Sequence, residues 1–185
     1  MAVKGQVLDD GAEKMEFLAT AADTGGELVS VRMTAAAGRP APPEHEHPKL
    51  EERFRVERGR LGYVNGRESR TAEPGEVVVI PPGTRHTFWN AGEEPLVVLA
   101  EVRPALRFED FAESIHVLIR AGRITAGRPP RNPFPLAVIA DAYRDEWRLS
   151  AMPPTVRGLL PLLAWVGRRL GYRAYYPDSV GAPAI

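Results

Sequence analysis

His45-Glu46-His47-Pro48-Lys49-Leu50-Glu51-Glu52-Arg53-Phe54-Arg55-Val56-Glu57 is the stretch that decides the fold. Its second half alternates. Positions 52, 54 and 56 are Glu, Phe and Val, while 51, 53, 55 and 57 are Glu, Arg, Arg and Glu. Side chains of a strand point to opposite faces in turn, so the charged set is the solvent face and Glu52 shares the inward face with Phe54 and Val56. An inward carboxylate is costly unless it is paired or bound to a cation. His45 and His47 are two residues apart, which in an extended segment places both rings on one face. Glu51 is expected to face water.

A second stretch complements the first. Pro74-Gly75 reads as a turn, Val77-Val78-Val79-Ile80 as a continuous apolar strand, and Pro81-Pro82-Gly83 as its stop. A strand over 84–90 then carries His86 in parity with Phe88 and Asn90. Trp89 has the opposite parity and is expected to pack outside, under whatever follows. Asn90 reads as a residue that fixes the local turn. Three imidazoles and one carboxylate, with no cysteine anywhere in the chain, suit a borderline divalent ion: iron, manganese, nickel, zinc, cobalt or copper. Four protein ligands leave one or two positions open on such an ion, as substrate binding or Lewis-acid chemistry requires.

Around these stretches the first hundred residues read as strands. Val29, Val31 and Met33 alternate with Ser30, Arg32 and Thr34. Leu61-Gly62-Tyr63-Val64 runs into Asn65-Gly66, a strong hairpin signal. Residues 96–102 form another buried strand. The pattern changes near Pro104. Phe111, Ile115, Leu118 and Ile119 recur at helical spacing, with Glu109 and Asp110 at the start, Arg120 and Arg123 at the end, and Gly122 as the stop. His116, beside that stripe, reads as a surface or packing histidine. A proline-rich linker over 128–135 leads to a helix with Leu136, Ile139, Tyr143 and Trp147 on one face, capped at Asn132-Pro133. A third helix spans 153–170, with Pro161 expected to kink or divide it. Its apolar run, 159–166, asks for a partner: the barrel, a second copy, or a membrane surface flanked by Arg157, Arg168 and Arg169.

The two histidine stretches resemble the paired motifs of the cupin superfamily. His45-x-His47, Glu52 and Gly59 follow the first motif. Gly75, Pro81-x-Gly83, His86 and Asn90 follow the second at every fixed position. One departure stands out: the opening glycine of the first motif falls where Arg39 sits, one residue after Gly38. The resemblance covers about residues 25–104. It implies a mainly β fold, a double-stranded β-helix or jelly-roll barrel, over 1–104, with His45, His47, Glu52 and His86 as metal ligands. The helical extension, 105–185, lies outside it. Cupins with this ligand set include dioxygenases, isomerases, epimerases and decarboxylases. An open redox ion would support oxygen chemistry on a small organic substrate, with Glu52 able to leave the ion and act as base. The alternatives are a non-catalytic barrel that holds a small molecule and a metal-dependent isomerase or epimerase. The resemblance also implies a homodimer.

Composition narrows the partners. Lys and Arg together number 24, as do Asp and Glu. A neutral chain without a basic patch argues against nucleic acid, and a small molecule is the expected ligand. The apolar pocket positions expected near the ion, Phe54, Val56 and Phe88, favour an apolar or aromatic molecule over a sugar phosphate, unless Arg123 or Arg131 reaches the mouth. The longest apolar run is too short to span a bilayer, and residues 1–20 carry charges throughout without the apolar core of a secretory signal. The expectation is a cytoplasmic protein without a membrane partner.

Overall fold

The computed structural model describes residues 2–125, 130–150 and 152–178. Arg128 and Pro129, at the start of the proline-rich linker, lie outside the described residues. The strands are β1 (Val7–Asp9), β2 (Glu13–Ala19), β3 (Val29–Ala35), β4 (His45–Glu46), β5 (Glu51–Arg58), β6 (Leu61–Asn65), β7 (Glu68–Ala72), β8 (Val77–Ile80), β9 (His86–Asn90), β10 (Leu96–Arg103) and β11 (Arg148–Leu149). The helices are α1 (Phe108–Arg120), α2 (Phe134–Ala142) and α3 (Pro154–Arg169). Two antiparallel sheets, ordered β1-β2-β3-β10-β5-β8 and β11-β4-β9-β6-β7, form the double-stranded β-helix, and three helices follow it.

The alternation of β5 sets the interior. Glu52, Phe54 and Val56 are buried, while Arg53, Arg55 and Glu57 are exposed. Burying a side chain such as Phe54 contributes about 1.5–3 kcal/mol, so a one-residue slip, which would turn the whole inner set to solvent, is strongly disfavoured. β10 pairs with β5 and β3 on its two sides, with Val98 opposite both Val56 and Met33. One core cluster continues from the barrel into α1 and α2, from Phe17 and Leu61 to Leu118 and Ile139.

Several local expectations shift. The hairpin between β6 and β7 turns at Gly66-Arg67, because Asn65 pairs with Glu68. Gly66 has φ 67°, so glycine takes the first central position, as a type II′ turn needs, and Asn65 closes the strand. Val77 to Ile80 is not buried throughout. β8 is the edge of its sheet, with Val77 and Val79 exposed and Val78 and Ile80 buried. β10 likewise alternates buried and half-buried residues. Strand β9 starts at His86, two residues later than expected. Trp89 does point away from the barrel interior, but its cover is Gly62 on the paired strand. A Cβ at Gly62 would lie 2.3 Å from the indole.

In the extension, α1 closes as expected, with the Arg123 amide donating to the Leu118 carbonyl at 2.9 Å. Asn132 Oδ1 accepts from the Phe134 amide at the start of α2. Helix α2 ends at Ala142, so Trp147 sits on the turn beyond it and not on the helix. Helix α3 runs through Pro161 without a break. It packs on α2 through Ala164 and Gly167, and its other face is open: Leu159, Leu162 and Trp165 are 53%, 56% and 55% exposed. The run therefore does not bury itself on the barrel as a whole. Among the described residues no helix is long and apolar enough to cross a membrane.

The contact between Gly62 and Trp89 gives a stability test. Gly62→Ala should cost about 1–3 kcal/mol, as overpacking does. In a Trp89→Ala background the same change should cost little. Urea unfolding of the four proteins in the cycle reads both numbers.

Candidate metal centre

The two sheets each bring part of the site. His45 on β4 pairs directly with His86 on β9, and His47 follows β4 by one residue. Glu52 comes from β5 in the facing sheet. All four side chains are buried, with exposures of 5% or less. The ring centroids of the three histidines lie 4.3–5.1 Å apart, and one nitrogen from each falls within 4.8 Å of the others. Glu52 Oε2 lies 3.1 Å from His86 Nε2 and 3.6 Å from His47 Nε2. The structure thus gathers His45, His47 and His86 at one point, with Glu52 against His86 and His47. Glu51 stays on the other face, paired with Arg53 at 2.6 Å.

The backbone fixes the orientation of every ring. Nδ1 of His45 faces the Pro43 carbonyl at 2.9 Å, Nδ1 of His47 the Glu146 carbonyl at 2.5 Å, and Nδ1 of His86 the Thr84 carbonyl at 2.9 Å. A carbonyl accepts only, so each Nδ1 carries the proton and each neutral ring keeps its lone pair on Nε2. Three lone pairs and a carboxylate oxygen converging in a buried space are the donor set that a divalent ion needs, and locked tautomers are how metal-binding histidines are usually held. The residues present fit such an ion.

Electrostatics agree. Burial, together with His47 and His86 nearby, pushes the His45 imidazole down to about 3. Burial also lowers His47, against the pull of Glu52. For His86 burial acts downward, yet the bond and charge of Glu52 outweigh it and the net shift is upward. Burial alone would raise Glu52, but the three histidines hold it below the usual carboxylate range. Glu52 Oε2 and His86 Nε2 lie within hydrogen-bond distance, at 3.1 Å. A dication in the same place would offset the Glu52 charge with more charge and more ligands.

Beside the histidines lies a cavity of about 540 Å³. His45, His47 and Glu52 open into it, and Phe88, Met15, Val31, Met33, Phe108, Phe111 and Trp147 form much of its wall. Phe54 and Val56, expected to line it, are core residues instead, and Phe54 lies under Phe88 with ring centroids 5.0 Å apart. Neither Arg123 nor Arg131 is among the residues that line it. Asn90 donates to the Ala35 and Glu94 carbonyls and accepts from the Gly92 amide, a structural role as expected.

The extension contributes more than the sequence showed. Strand β11 adds to the edge of the histidine sheet, pairing Leu149 with His45. Trp147 lies 6.2 Å from His45 and 5.4 Å from Phe111, between ring centroids. His116 is buried, not on the surface, and faces the cavity with Glu13 and Arg39. The available signal was its place beside Phe108, Ala112, Ile115 and Ile119, which mark the inward face of α1 at spacings of three and four.

Comparisons with known proteins place the chain. Residues 31–101 match the family described as "Cupin domain". The chain is 42% identical to oxidoreductase iacF of Pestalotiopsis fici over 146 residues, which cover 75% of this chain and 69% of that protein. The chain is a cupin. The probable oxidoreductase virH of Hypocrea virens is 39% identical over 70 residues, 36% of this cupin and only 32% of virH. Among solved structures, KdgF from a Halomonas species superposes with a TM-score of 0.48 at 20% identity, covering 56% of the cupin chain and 90% of that one.

The site makes the metal-free protein acid-sensitive. His45 and His47 resist protonation in the fold, so below their ordinary value of 6.5 the unfolded chain binds protons that the folded chain refuses. Stability should therefore fall as pH drops from about 6.5. Glu52, depressed, contributes above its ordinary 4.5 and loses that contribution only as pH falls through its lower folded value. His86, raised, contributes fully below 6.5 and loses its share as pH rises through its folded value. The loss between about 6.5 and 4.5 should approach 1.4 kcal/mol per pH unit for each histidine that stays neutral. Urea titrations of chelator-treated protein across that range should show a shallower slope for His45→Gln.

Proposed function

We propose that this cupin is a metal-dependent oxidoreductase, dioxygenase-like in its chemistry, that acts on a small and mainly apolar organic molecule. Its metal ligands in this reading are His45, His47, His86 and Glu52. One observation carries the reading: a cavity of about 540 Å³ opens on a buried cluster of three histidines and a carboxylate, with walls built mostly of hydrocarbon. The resemblance to a protein named as an oxidoreductase over three quarters of the chain supports the same class.

Each part of the chain has a task. His45, His47 and His86, their Nδ1 atoms held by carbonyls, hold their Nε2 lone pairs toward one point. Glu52 supplies the negative charge and, with its carboxylate close to two rings, is placed to take a proton. Phe108, Phe111 and Trp147 wall the cavity from the extension and offer an apolar surface that would orient a flat molecule against the cluster. A bound redox ion with an open position would supply the oxidation chemistry itself. A phosphorylated sugar finds little to match in this wall, because charge recognition of phosphate calls for Arg or Lys.

Elemental analysis and oxygen uptake test the proposal together. Purified protein should carry about one divalent ion per chain. His86→Ala and Glu52→Ala should lose it at least tenfold more readily, while Glu51→Ala should retain it and change stability by less than about 0.5 kcal/mol. Metal-loaded protein should consume oxygen with a hydroxylated aromatic in a panel of phenolics, keto acids and sugar phosphates. Stoichiometric metal in both variants, or thermal stabilisation by sugar phosphates alone with no oxygen uptake, would overturn the reading.

A further inference from the structure

The cavity has two polar ends. At the other end from the histidine cluster, Glu13 on β2, Arg39 and His116 on α1 face into the same space. Sheet register separates the ends: Glu52 pairs with Val102 and Val102 with Val29, whereas Glu13 pairs with Ala35, at the opposite end of β3. The helix agrees. Phe108 packs at 5.9 Å from His47, and His116 lies eight residues on, about 12 Å along the axis.

This second end is built and incompletely satisfied. Glu13 and His116 are 4% and 7% exposed. Arg39 Nη2 approaches Glu13 Oε2 at 3.1 Å and Asp10 Oδ2 at 3.8 Å, an ion pair with both carboxylates. Asp10 is further occupied by the amides of Ala12 and Glu13. His116 Nδ1 faces the Ala112 carbonyl at 3.0 Å, so it carries a proton. Its Nε2 lies 3.4 Å from Glu13 Oε1 without hydrogen-bond geometry and is a buried polar atom that no hydrogen bond satisfies, while Glu13 Oε2 has only the ion pair with Arg39. Leaving an atom such as Nε2 unmet costs about 1–3 kcal/mol. The carboxylate beside Nε2 also favours a proton there, and against the cost of burial the imidazole is held above its usual range.

We propose that Glu13 and His116 form a second binding subsite that takes a hydroxyl group of the ligand, the hydroxyl donating to Glu13 and accepting from His116 Nε2. The subsite rests on the proposed function only in sharing its cavity. Its charges choose the ligand group. Arg39 and His116 offset Glu13 and Asp10, so the subsite is close to neutral, and a ligand carboxylate would meet the Glu13 anion. A hydroxyl can donate to Glu13 and accept from His116 Nε2 at once. The preferred ligand is then an elongated molecule about 10 Å long, with an apolar body between the histidine cluster and a terminal hydroxyl. Arg39 is the position at which the first cupin motif departs from glycine, so this end of the cavity follows from a feature of this chain's own sequence.

Equilibrium dialysis of chelator-treated protein against naphthalene and naphthol, two probes that differ by one hydroxyl, tests the subsite apart from any metal. Far-UV circular dichroism verifies the fold of each variant. The preference for naphthol over naphthalene should drop about tenfold in His116→Phe, the loss expected for a hydrogen bond to a charged group. It should drop severalfold in Glu13→Gln, which keeps the side chain's shape and carries the test alone if His116→Phe does not fold. A preference that survives in the folded variants overturns the subsite. Failure to bind metal would overturn the proposed function and leave this result untouched.

Discussion

Everything near the centre of this barrel depends on one buried carboxylate. Glu52 sits on the inner face of β5 among Phe54, Val56 and the core of the facing sheet, where an unpaired charge would cost several kcal/mol. The fold offsets that cost chiefly at His86, whose Nε2 meets Glu52 Oε2 at 3.1 Å, with His45 and His47 gathered beside it. Their Nδ1 protons are spent on backbone carbonyls, so the only atoms they can turn toward Glu52 are Nε2. The geometry that makes the carboxylate tolerable is the geometry that would hold a cation. Burial, tautomer and charge are therefore one constraint seen from three sides.

The helical extension is tied to that constraint through the backbone. The carbonyl that fixes His47 belongs to Glu146, and the strand that extends the histidine sheet is β11. The side chain of Glu146 in turn pairs with Arg107 at the entry to α1. Aromatic rings from α1 and from the turn after α2 then wall the cavity. A barrel of this kind has a mouth that must be either open to water or covered. Here Phe108, Phe111 and Trp147 of the extension form part of its wall, so the chemistry that the site can support depends on residues with no place in the family's motifs.

The sequence was legible where parity or spacing acts within a few residues. Glu52 and Glu51 are neighbours of the same type, and strand alternation alone told them apart, because a buried face tolerates no slip. The histidine spacings were legible for the same reason. Harder to read were features set by distant partners. Val77 and Val79 look like core but lie on an edge strand, a matter of sheet order. Polar β7 carries no apolar stripe and exists because β6 pairs with it. Two-residue β11 forms because β4 offers an edge. Trp147 fell at helical spacing from Tyr143, yet the chain turns before it and places the ring at the cavity. His116 read as a surface or packing histidine because its meaning comes from Glu13, about a hundred positions away in the chain.

The central claim is that His45, His47, His86 and Glu52 surround a single ion at the inner end of an apolar cavity. Anomalous diffraction from crystals of the cobalt-loaded protein tests it most directly. The account predicts one strong peak per chain at about 2.0–2.2 Å from the three Nε2 atoms and a Glu52 oxygen, the ordinary range for nitrogen and oxygen ligands. A peak elsewhere, or a cobalt-soaked crystal in which Glu52 and His86 still touch each other with no ion between them, would contradict it.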